Sequence, residues 1–219
     1  MSRLLFEKTA DAVWISHLDT MRLFQRAFKR AGLHLKHTQG FNPRPSVSIA
    51  LPLSVGVSSR CELLDFDLDG QNVDCDGIRQ KLNQALVAGV RVLDVYDDGR
   101  KIRDLALMDC TVTLEYDNGV PGGARDALQA LYSRDSLPVE KKSKNGPVEQ
   151  DIIPMIRTIT VESCDANTLS IHARICCQNP TLNPMQLVAA IEKYLPQYRP
   201  DHVICRRLEL YDTKDHIFR

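Results

Sequence analysis

The first half of the chain is an ordered series of strand-like and helix-like segments, and this order limits the folds that the chain can adopt. Strand patterns alternate apolar and polar residues, and helical patterns repeat apolar residues at three to four positions. The segments are, in order, strands LLFEK and AVWIS, a helix over 18–31, strands SVSIALPLSV and LLDFDLDG, a helix in DGIRQKLNQALVAG, and strand VRVLDVYD. With the polar TADA as a turn or bulge between the first two strands, the order is β-α-β-β-α-β.

The second half of the chain shows the same order. Its segments are strand MDCTVTLEYD, helix ARDALQALYSR, strand material over 138–163 around a polar, locally flexible insertion KKSKNG, strand TLSIHARICC, a helix beginning at Asn183–Pro184, and strand VICRRLELYD. This pattern predicts an α+β fold of tandem ferredoxin-like (βαββαβ) domains. We expect domains at residues 1–100 and 106–213, joined near DDGRKIRD.

Composition and the N-terminal sequence argue against a membrane protein. The chain has 219 residues, of which 43% are hydrophobic and 26% charged, as in ordinary globular proteins. No apolar run approaches the roughly 20 residues of a membrane span. The start, MSRLLFEKTADAVW, lacks the basic, apolar and small-residue regions of a signal peptide. The sequence therefore predicts a cytoplasmic location and no membrane partner.

The cysteines do not suggest a cofactor. There are seven, scattered along the chain without a CxxC pair. Zinc sites and iron–sulfur clusters need thiolates at short spacings, and a disulfide framework needs an oxidising compartment. We expect most of these cysteines to be small buried hydrophobic residues, and no metal or cofactor.

The segment SHLDTMRLFQRAFKRAG predicts an amphipathic helix with a basic face. Ser16 and Asp19 have the spacing of a capping box at the helix start. At about 100° per residue, the four cations fall within about 100° of one another, opposite the apolar residues. These cations are Arg22, Arg26, Lys29 and Arg30. The face is either an ordinary solvated surface or a contact for a polyanion, and the single carboxylate among four cations favours the polyanion.

The wider charge distribution agrees with a basic surface in the first domain. Residues 1–60 contain nine Lys/Arg against three Asp/Glu, whereas residues 61–110 contain six against eleven. A neutral chain can therefore carry a basic surface that faces a polyanion. His17, in the first turn of the helix, is open to two interpretations: an acid, base or phosphate contact, or a structural histidine.

The loop sequence TQGFNPRPS, residues 38–46, combines features that a simple turn does not need. Gly40 permits a positive φ, and Pro43 and Pro45 hold the chain extended. Such a segment presents polar side chains at low entropic cost, here Gln39, Asn42 and Arg44. Phe41 either stacks on a nucleic-acid base or fills the protein core.

These motifs resemble the radical-SAM-linked protein family, whose members occur as free-standing chains or attached to a radical SAM enzyme. The resemblance rests on SHLDTMRLFQRAFKRAG, TQGFNPRPS and LPLSVGVSS with Glu62, and it is strong over the first half and loose over the second. The signature positions present here are Ser16, His17, Leu18, Asp19, Arg22, Arg26, Gln39, Gly40, Phe41, Asn42, Pro43, Pro45 and Glu62. The resemblance implies a radical SAM enzyme as partner.

The chain departs from this family pattern at three positions. Arg44 stands where the family usually has His, Ser46 where a basic residue commonly follows, and Ile153 where a later motif has Arg. An anion contact survives the change from His to Arg, whereas acid–base catalysis at that position does not. The chain also lacks CxxxCxxC, the motif of radical SAM enzymes themselves. CRISPR repeat-processing endonucleases share the predicted fold, but the C-terminal ICRRLELYDTKDHIFR has no glycine-rich loop.

Three functions remain open from the sequence. The first is an RNA-binding accessory module that serves a radical SAM enzyme modifying tRNA or rRNA, without catalytic activity of its own. The second is a metal-independent RNA-processing enzyme that uses His17 as its catalytic residue. The third is a protein-only adaptor. For the first, the predicted RNA-contacting residues are Arg22, Arg26, Lys29, Arg30, Gln39, Phe41, Asn42 and Arg44.

Overall fold

The computed structural model describes residues 1–70, 73–143 and 146–219, and the chain divides into two compact units. Unit 1 comprises residues 1–104 and 218–219, and unit 2 comprises residues 105–217. Strands and helices occur in both units, so the chain is an α+β protein. The domain ranges 1–100 and 106–213 stay predictions of where independently folding domains begin and end.

Unit 1 is an antiparallel sheet with two helices. Its elements are β1 (Ser2–Lys8), α1 (His17–Arg30), β2 (Val47–Ile49), β3 (Ser58–Phe66), α2 (Cys75–Ala85) and β4 (Val90–Tyr96). β1 pairs with both β3 and β4, and β2 pairs with the other edge of β3, which gives the order β4-β1-β3-β2. The strand order is therefore not the chain order.

Phenylalanines of α1 and of the sheet form the centre of the unit 1 core. Phe6 of β1 and Phe24 of α1 meet edge to face, with ring centroids 4.7 Å apart. Phe28 of α1 and Phe66 of β3 lie 5.0 Å apart. All four side chains are buried. Burying them fixes the apolar face of α1 against the sheet, and the face that carries the cations points to solvent.

Local signals predict both ends of α1. Ser16 is the N-cap, as expected, and its hydroxyl accepts a hydrogen bond from the Asp19 amide at 3.2 Å. The helix ends at Arg30, and Gly32 takes a φ of 67°, which glycine adopts without strain. The predicted range of 18–31 is therefore correct to within one residue at each end.

The prediction of a strand in AVWIS is wrong. Ala10–Trp14 is a short 3-10 helix, and Ala10 has a φ of 47°. The physical reason lies in the backbone acceptors: the Lys8 ammonium donates to the carbonyls of Val13 and Ile15, which a strand would have directed to a neighbouring strand. The strand predicted in SVSIALPLSV is likewise shorter, because only Val47–Ile49 pairs with β3.

Unit 2 contains four strands that pair antiparallel with one another, and a separate hairpin. Its elements are β5 (Leu105–Glu115), α3 (Ala124–Tyr132), β6 (Pro138–Ser143), β7 (Gly146–Asp151), β8 (Ile156–Ser163), β9 (Thr168–Cys176), α4 (Met185–Tyr194) and β10 (His202–Asp212). The sheet order is β10-β5-β9-β8, and β6 pairs with β7. The insertion KKSKNG covers the ends of β6 and β7, and its residues 144–145 lie outside the described part of the chain.

Candidate functional site

The first turn of α1 places a carboxylate among the cations of the basic face. Ser16 donates its hydroxyl proton to Asp19 Oδ2 at 2.7 Å, and Arg22 Nη1 lies 2.9 Å from Asp19 Oδ1. The hydrogen bond from Ser16, with that from Arg22, lowers the pKa of the Asp19 carboxyl below its ordinary value. Arg22 therefore has an internal partner, although both side chains of the pair are exposed.

The remaining cations of this face differ in how they are held. Arg30 donates to the carbonyl of Ala85, the last residue of α2, at 2.7 Å. This bond holds Arg30 against the C-terminal end of a helix, where a cation is favoured. Arg26 and Lys29 are exposed, and within the described residues neither has a hydrogen bond or an ion pair. Arg26 and Lys29 are therefore the cations most available to a ligand.

The chain between α1 and β2 forms a loop with an ordered base, which we name the 36–46 loop. The Ser46 amide donates to the Lys36 carbonyl at 2.7 Å, and the Lys36 amide donates to the Asp67 carbonyl at 2.9 Å. Closer to the tip, the Thr38 amide donates to the Arg44 carbonyl at 2.8 Å, and the Arg44 amide donates to Thr38 Oγ1 at 3.0 Å. The loop is thus braced by its own backbone.

The tip of the 36–46 loop presents an aromatic ring to solvent. Phe41 is fully exposed, at 114% of the reference accessible area, so the alternative that it fills the core is wrong. Gly40 before it has a φ of 130°, a conformation that favours glycine. The flanking side chains are exposed and have no partner among the described residues. These are Gln39, Asn42 and Arg44.

His17 lies at the edge of a small cavity at the N-terminal end of α1. The cavity, of ≈ 10 Å³, has room for about one water molecule. His17 shares the cavity wall with Lys8 of β1 and Glu62 of β3, which are both only 2% exposed. Glu62 belongs to the family signature, whereas Lys8 is a residue that our sequence analysis missed.

Lys8 is an anchor for the segment that precedes α1. Its Nζ donates to the Ile15 carbonyl at 2.6 Å and to the Val13 carbonyl at 3.2 Å. Burial lowers the pKa of the Lys8 ammonium, and the negative charge of Glu62 opposes that shift. Because its protons are directed at backbone carbonyls, Lys8 holds the chain in place.

The His17 cavity lies beside the middle of β3, and the base of the 36–46 loop lies just beyond the C-terminal end of that strand. Glu62 lines the cavity, and Asp67, just beyond β3, holds the base of the loop. Five residues of extended chain cover about 16 Å. The structure therefore does not join His17 to the base of the loop in one pocket, and α1 runs between these two places.

Two further properties of the described residues bear on the site. No His, Cys, Asp and Glu side chains among them are grouped as a metal ion would require. No helix in the described ranges is both long and apolar enough to cross a membrane.

Comparison with protein families gives a match over most of the chain. Residues 2–184 match the family model described as "Uncharacterized protein conserved in bacteria (DUF2344)". The chain belongs to this family. The family description names no partner or reaction, so the link to radical SAM enzymes is left to the resemblance of the motifs. A comparison with curated proteins found no match.

The solved structures that match this chain have very different sequences. A chain of the "Cbf5-Nop10-Gar1 Complex" aligns with 95% of this chain at a TM-score of 0.54 and 9% identity. The match covers 48% of that chain, so the protein described here spans about half the length of the chain from the complex. "An Unknown Protein from Galdieria sulphuraria" aligns with 94% of this chain and 96% of its own, at 12% identity and a TM-score of 0.26. The likeness to the chain of the Cbf5-Nop10-Gar1 complex concerns the fold alone.

Proposed function

We propose that this protein binds RNA through the 36–46 loop and the basic face of α1. In this proposal the chain is an accessory module, without catalytic activity of its own, for a radical SAM enzyme that modifies tRNA or rRNA. Phe41 stacks on a base, Asn42, Gln39 and Arg44 contact the base edge and the sugar–phosphate backbone, and the cations of α1 contact phosphates further along the strand.

The observation that carries the proposal is the exposure of Phe41 on a braced loop. A phenylalanine is ordinarily buried, because burying its ring stabilises a protein by about 1.5–3 kcal/mol. Here the ring is fully exposed while the backbone below it is held by four hydrogen bonds. The loop therefore holds an aromatic ring in water, a geometry that suits stacking on a flat ligand.

The charge around the loop favours RNA among the ligands with flat rings. Arg44 is three residues from Phe41, and Arg26 and Lys29 of α1 make no hydrogen bond or ion pair within the described residues. Aromatic rings interleaved with cations are the usual surface for single-stranded nucleic acid. An apolar peptide would leave these cations without neutralisation.

The finer fold assignment and the partner belong to the same proposal. The order β4-β1-β3-β2 in unit 1 and the order β10-β5-β9-β8 in unit 2 support a ferredoxin-like arrangement in each. Unit 2 would carry the β6–β7 hairpin as an insertion. The radical SAM partner rests on the resemblance of SHLDTMRLFQRAFKRAG and TQGFNPRPS to the radical-SAM-linked family.

The test is RNA affinity measured across a salt series by fluorescence polarisation of a labelled single strand. The native chain is compared with an Arg22→Ala/Arg26→Ala double variant. Each lost phosphate contact reduces the slope of log K against log salt by about 0.7, so the double variant should lower it by about 1.4. The matched control is Lys81→Ala/Arg103→Ala, which removes two exposed cations outside α1 and the loop and should leave the slope unchanged.

Two outcomes contradict the proposal. One is no RNA binding at low salt, and the other is an unchanged slope in the Arg22/Arg26 variant. A radical SAM enzyme that is retained by the chain after nuclease treatment, with no RNA binding at low salt, supports the protein-only adaptor. RNA turnover by the isolated chain that disappears in His17→Ala supports the processing enzyme.

A further inference from the structure

Trp14 is a second exposed aromatic residue that the proposed function leaves unexplained. It is the single tryptophan of the chain, and 70% of its side chain is exposed. It lies in the 3-10 helix Ala10–Trp14, two residues before the N-cap of α1. Trp14 and the base of the 36–46 loop are therefore at opposite ends of α1.

The protein uses a buried charge to hold the backbone around Trp14. Lys8 donates to the carbonyls of Val13 and Ile15, the two residues that flank Trp14. Burying an ammonium group is costly unless it is hydrogen-bonded, and the Lys8 ammonium uses these bonds to fix one short segment. The exposed side chain of Trp14 is thus attached to a backbone segment that is hydrogen-bonded by a buried lysine of unit 1.

Gly56 lies against the Trp14 ring and is bonded to the same segment. The Gly56 amide donates to the Val13 carbonyl at 2.9 Å, and a Cβ at position 56 would lie 3.3 Å from Trp14 Cζ3. The φ of 83° at Gly56 favours glycine as well. A larger residue would crowd the far edge of the indole ring. The remainder of the ring is open to solvent.

We propose that Trp14 is a second base-stacking residue and that the RNA bound by this protein is a single strand lying along α1. This inference rests on the proposed function and extends it, because it identifies the ligand as single-stranded RNA and gives the path of that strand along α1. A nucleobase is the occupant that fits, since the first three turns of α1 carry Arg22 and Arg26 at exposed positions, which suit the phosphates of the same strand. The one carboxylate in these turns, Asp19, is already bonded to Ser16 and Arg22.

The length of α1 sets the length of RNA that reaches both aromatic residues. Its 14 residues cover about 21 Å, at 1.5 Å per residue. A stacked strand advances about 3.4 Å per nucleotide, so about six stacked nucleotides cover the helix. A strand of about four nucleotides fills one end, whereas a strand of about twelve reaches both.

The fluorescence of Trp14 tests this inference directly, because the chain has no other tryptophan. We expect a mixed-sequence strand of about twelve nucleotides to quench Trp14, and a duplex of the same length to quench it far less. Trp14→Ala should weaken binding of the long strand by about 5- to 150-fold, and Trp14→Phe should restore most of that loss. Val148→Ala, which truncates an exposed apolar side chain on β7, is the matched control and should bind like the native chain.

The outcomes separate this inference from the proposed function. If the long strand binds with a dependence on Phe41 but leaves both Trp14 fluorescence and the affinity of Trp14→Ala unchanged, the second stacking site is overturned and the proposed function survives. Equal quenching by the duplex also overturns it. If no strand binds at low salt, both fail together. Circular dichroism of Trp14→Ala and Trp14→Phe shows that the variants are folded before affinities are compared.

Discussion

The polar cluster of Arg174 in unit 2 and the 36–46 loop of unit 1 use similar residues in opposite ways. Arg174 and Asp109 are cross-strand neighbours on β9 and β5, joined by two hydrogen bonds of 2.7 and 2.9 Å. Arg174 also donates to Asp215 at 3.0 Å, and its guanidinium lies 3.9 Å from the centre of the Tyr211 ring. The Tyr211 hydroxyl donates to Asp109. In the 36–46 loop, Arg44 and Phe41 have no such partners among the described residues.

The difference shows which charged and aromatic residues serve the fold and which are open to a ligand. In the Arg174 cluster, the hydrogen bonds that the guanidinium donates to Asp109 raise its pKa, as expected for a cation that is paired inside the protein. Lys8 belongs to the same class, because its protons go to backbone carbonyls. Phe41, Arg44, Arg26 and Lys29 form the other class. Removing a member of the first class should lower stability, and removing a member of the second should lower affinity.

The largest loss of stability is expected for Lys8→Ala. The change removes two hydrogen bonds that the ammonium group donates to the segment before α1, and it removes the favourable charge interaction between Lys8 and Glu62. Hydrogen bonds to charged groups contribute about 1.5–3 kcal/mol each, so we expect a loss of about 3–5 kcal/mol. Guanidinium unfolding followed by circular dichroism measures the change. Lys29→Ala, an exposed lysine of α1, is the control and should alter the free energy of unfolding by less than about 0.5 kcal/mol. A loss of under about 1 kcal/mol in Lys8→Ala would remove Lys8 from the first class.

A smaller loss of stability is expected for Asp109→Ala. The carboxylate accepts two hydrogen bonds from Arg174 and one from Tyr211, and hydrogen bonds to charged groups contribute about 1.5–3 kcal/mol. Because the side chains of Arg174 and Asp109 are both about a quarter exposed, we expect the free energy of unfolding to fall by about 2–3 kcal/mol. The control is Asp76→Ala, which breaks the exposed pair with Arg79 and should cost less than about 1 kcal/mol. RNA affinity should not change in either variant. A loss of affinity in Asp109→Ala would contradict the assignment of Asp109 to the residues that serve only the fold.

Phe41→Ala should show the reverse pattern. The ring is fully exposed, so the free energy of unfolding should change by less than about 0.5 kcal/mol. Loss of a stacked base should weaken RNA binding by about 1–3 kcal/mol. Phe28→Ala is the matched control, because the ring of Phe28 is buried in the core and its loss should cost about 3–5 kcal/mol of stability. A variant of Phe41 that is unstable but binds RNA normally would assign Phe41 to the fold.

Local sequence signals predict the helices and strands whose ends are determined by residues close to them in the chain. Ser16, Asp19 and Gly32 mark the ends of α1, and β-rich sequence marks β1 and β4. The alternation in LLDFDLDG, residues 63–70, finds only the part of β3 from residue 63 to its end at Phe66. The segment AVWIS misleads, because its β-rich composition is overruled by hydrogen bonds from the side chain of Lys8. The conformation of this segment depends on hydrogen bonds from a residue outside it, and the β-propensity of its own residues does not predict that conformation.

The candidate site is predicted less completely than the fold. Charged residues are seldom buried, so no sequence pattern placed Lys8 beside His17, whereas Glu62 stands among the signature positions. A signal was nevertheless present: Lys8 shares the inward face of β1 with Leu4 and Phe6, since alternate residues of a strand face the same side. The exposure of Phe41 and the separation of His17 from the base of the 36–46 loop depend on strand register, which sequence motifs do not reveal.

The smallest effect is expected at Asp19, where the two classes meet, because this carboxylate holds both the cap and Arg22. Its pKa is lowered, first by the hydrogen bond from Ser16 and then by that from Arg22. A lowered folded-state pKa gives a contribution to stability that is present above the ordinary value of 3.8 and lost as the pH falls through the lowered value. The stability difference between the native chain and Asp19→Asn should therefore be constant at neutral pH and shrink as the pH falls from about 4 through the lowered pKa of Asp19. Denaturant titrations at several pH values measure it. In a Ser16→Ala background the same comparison should depend less on pH, and an equal dependence in both backgrounds would show that Ser16 does not set the Asp19 pKa.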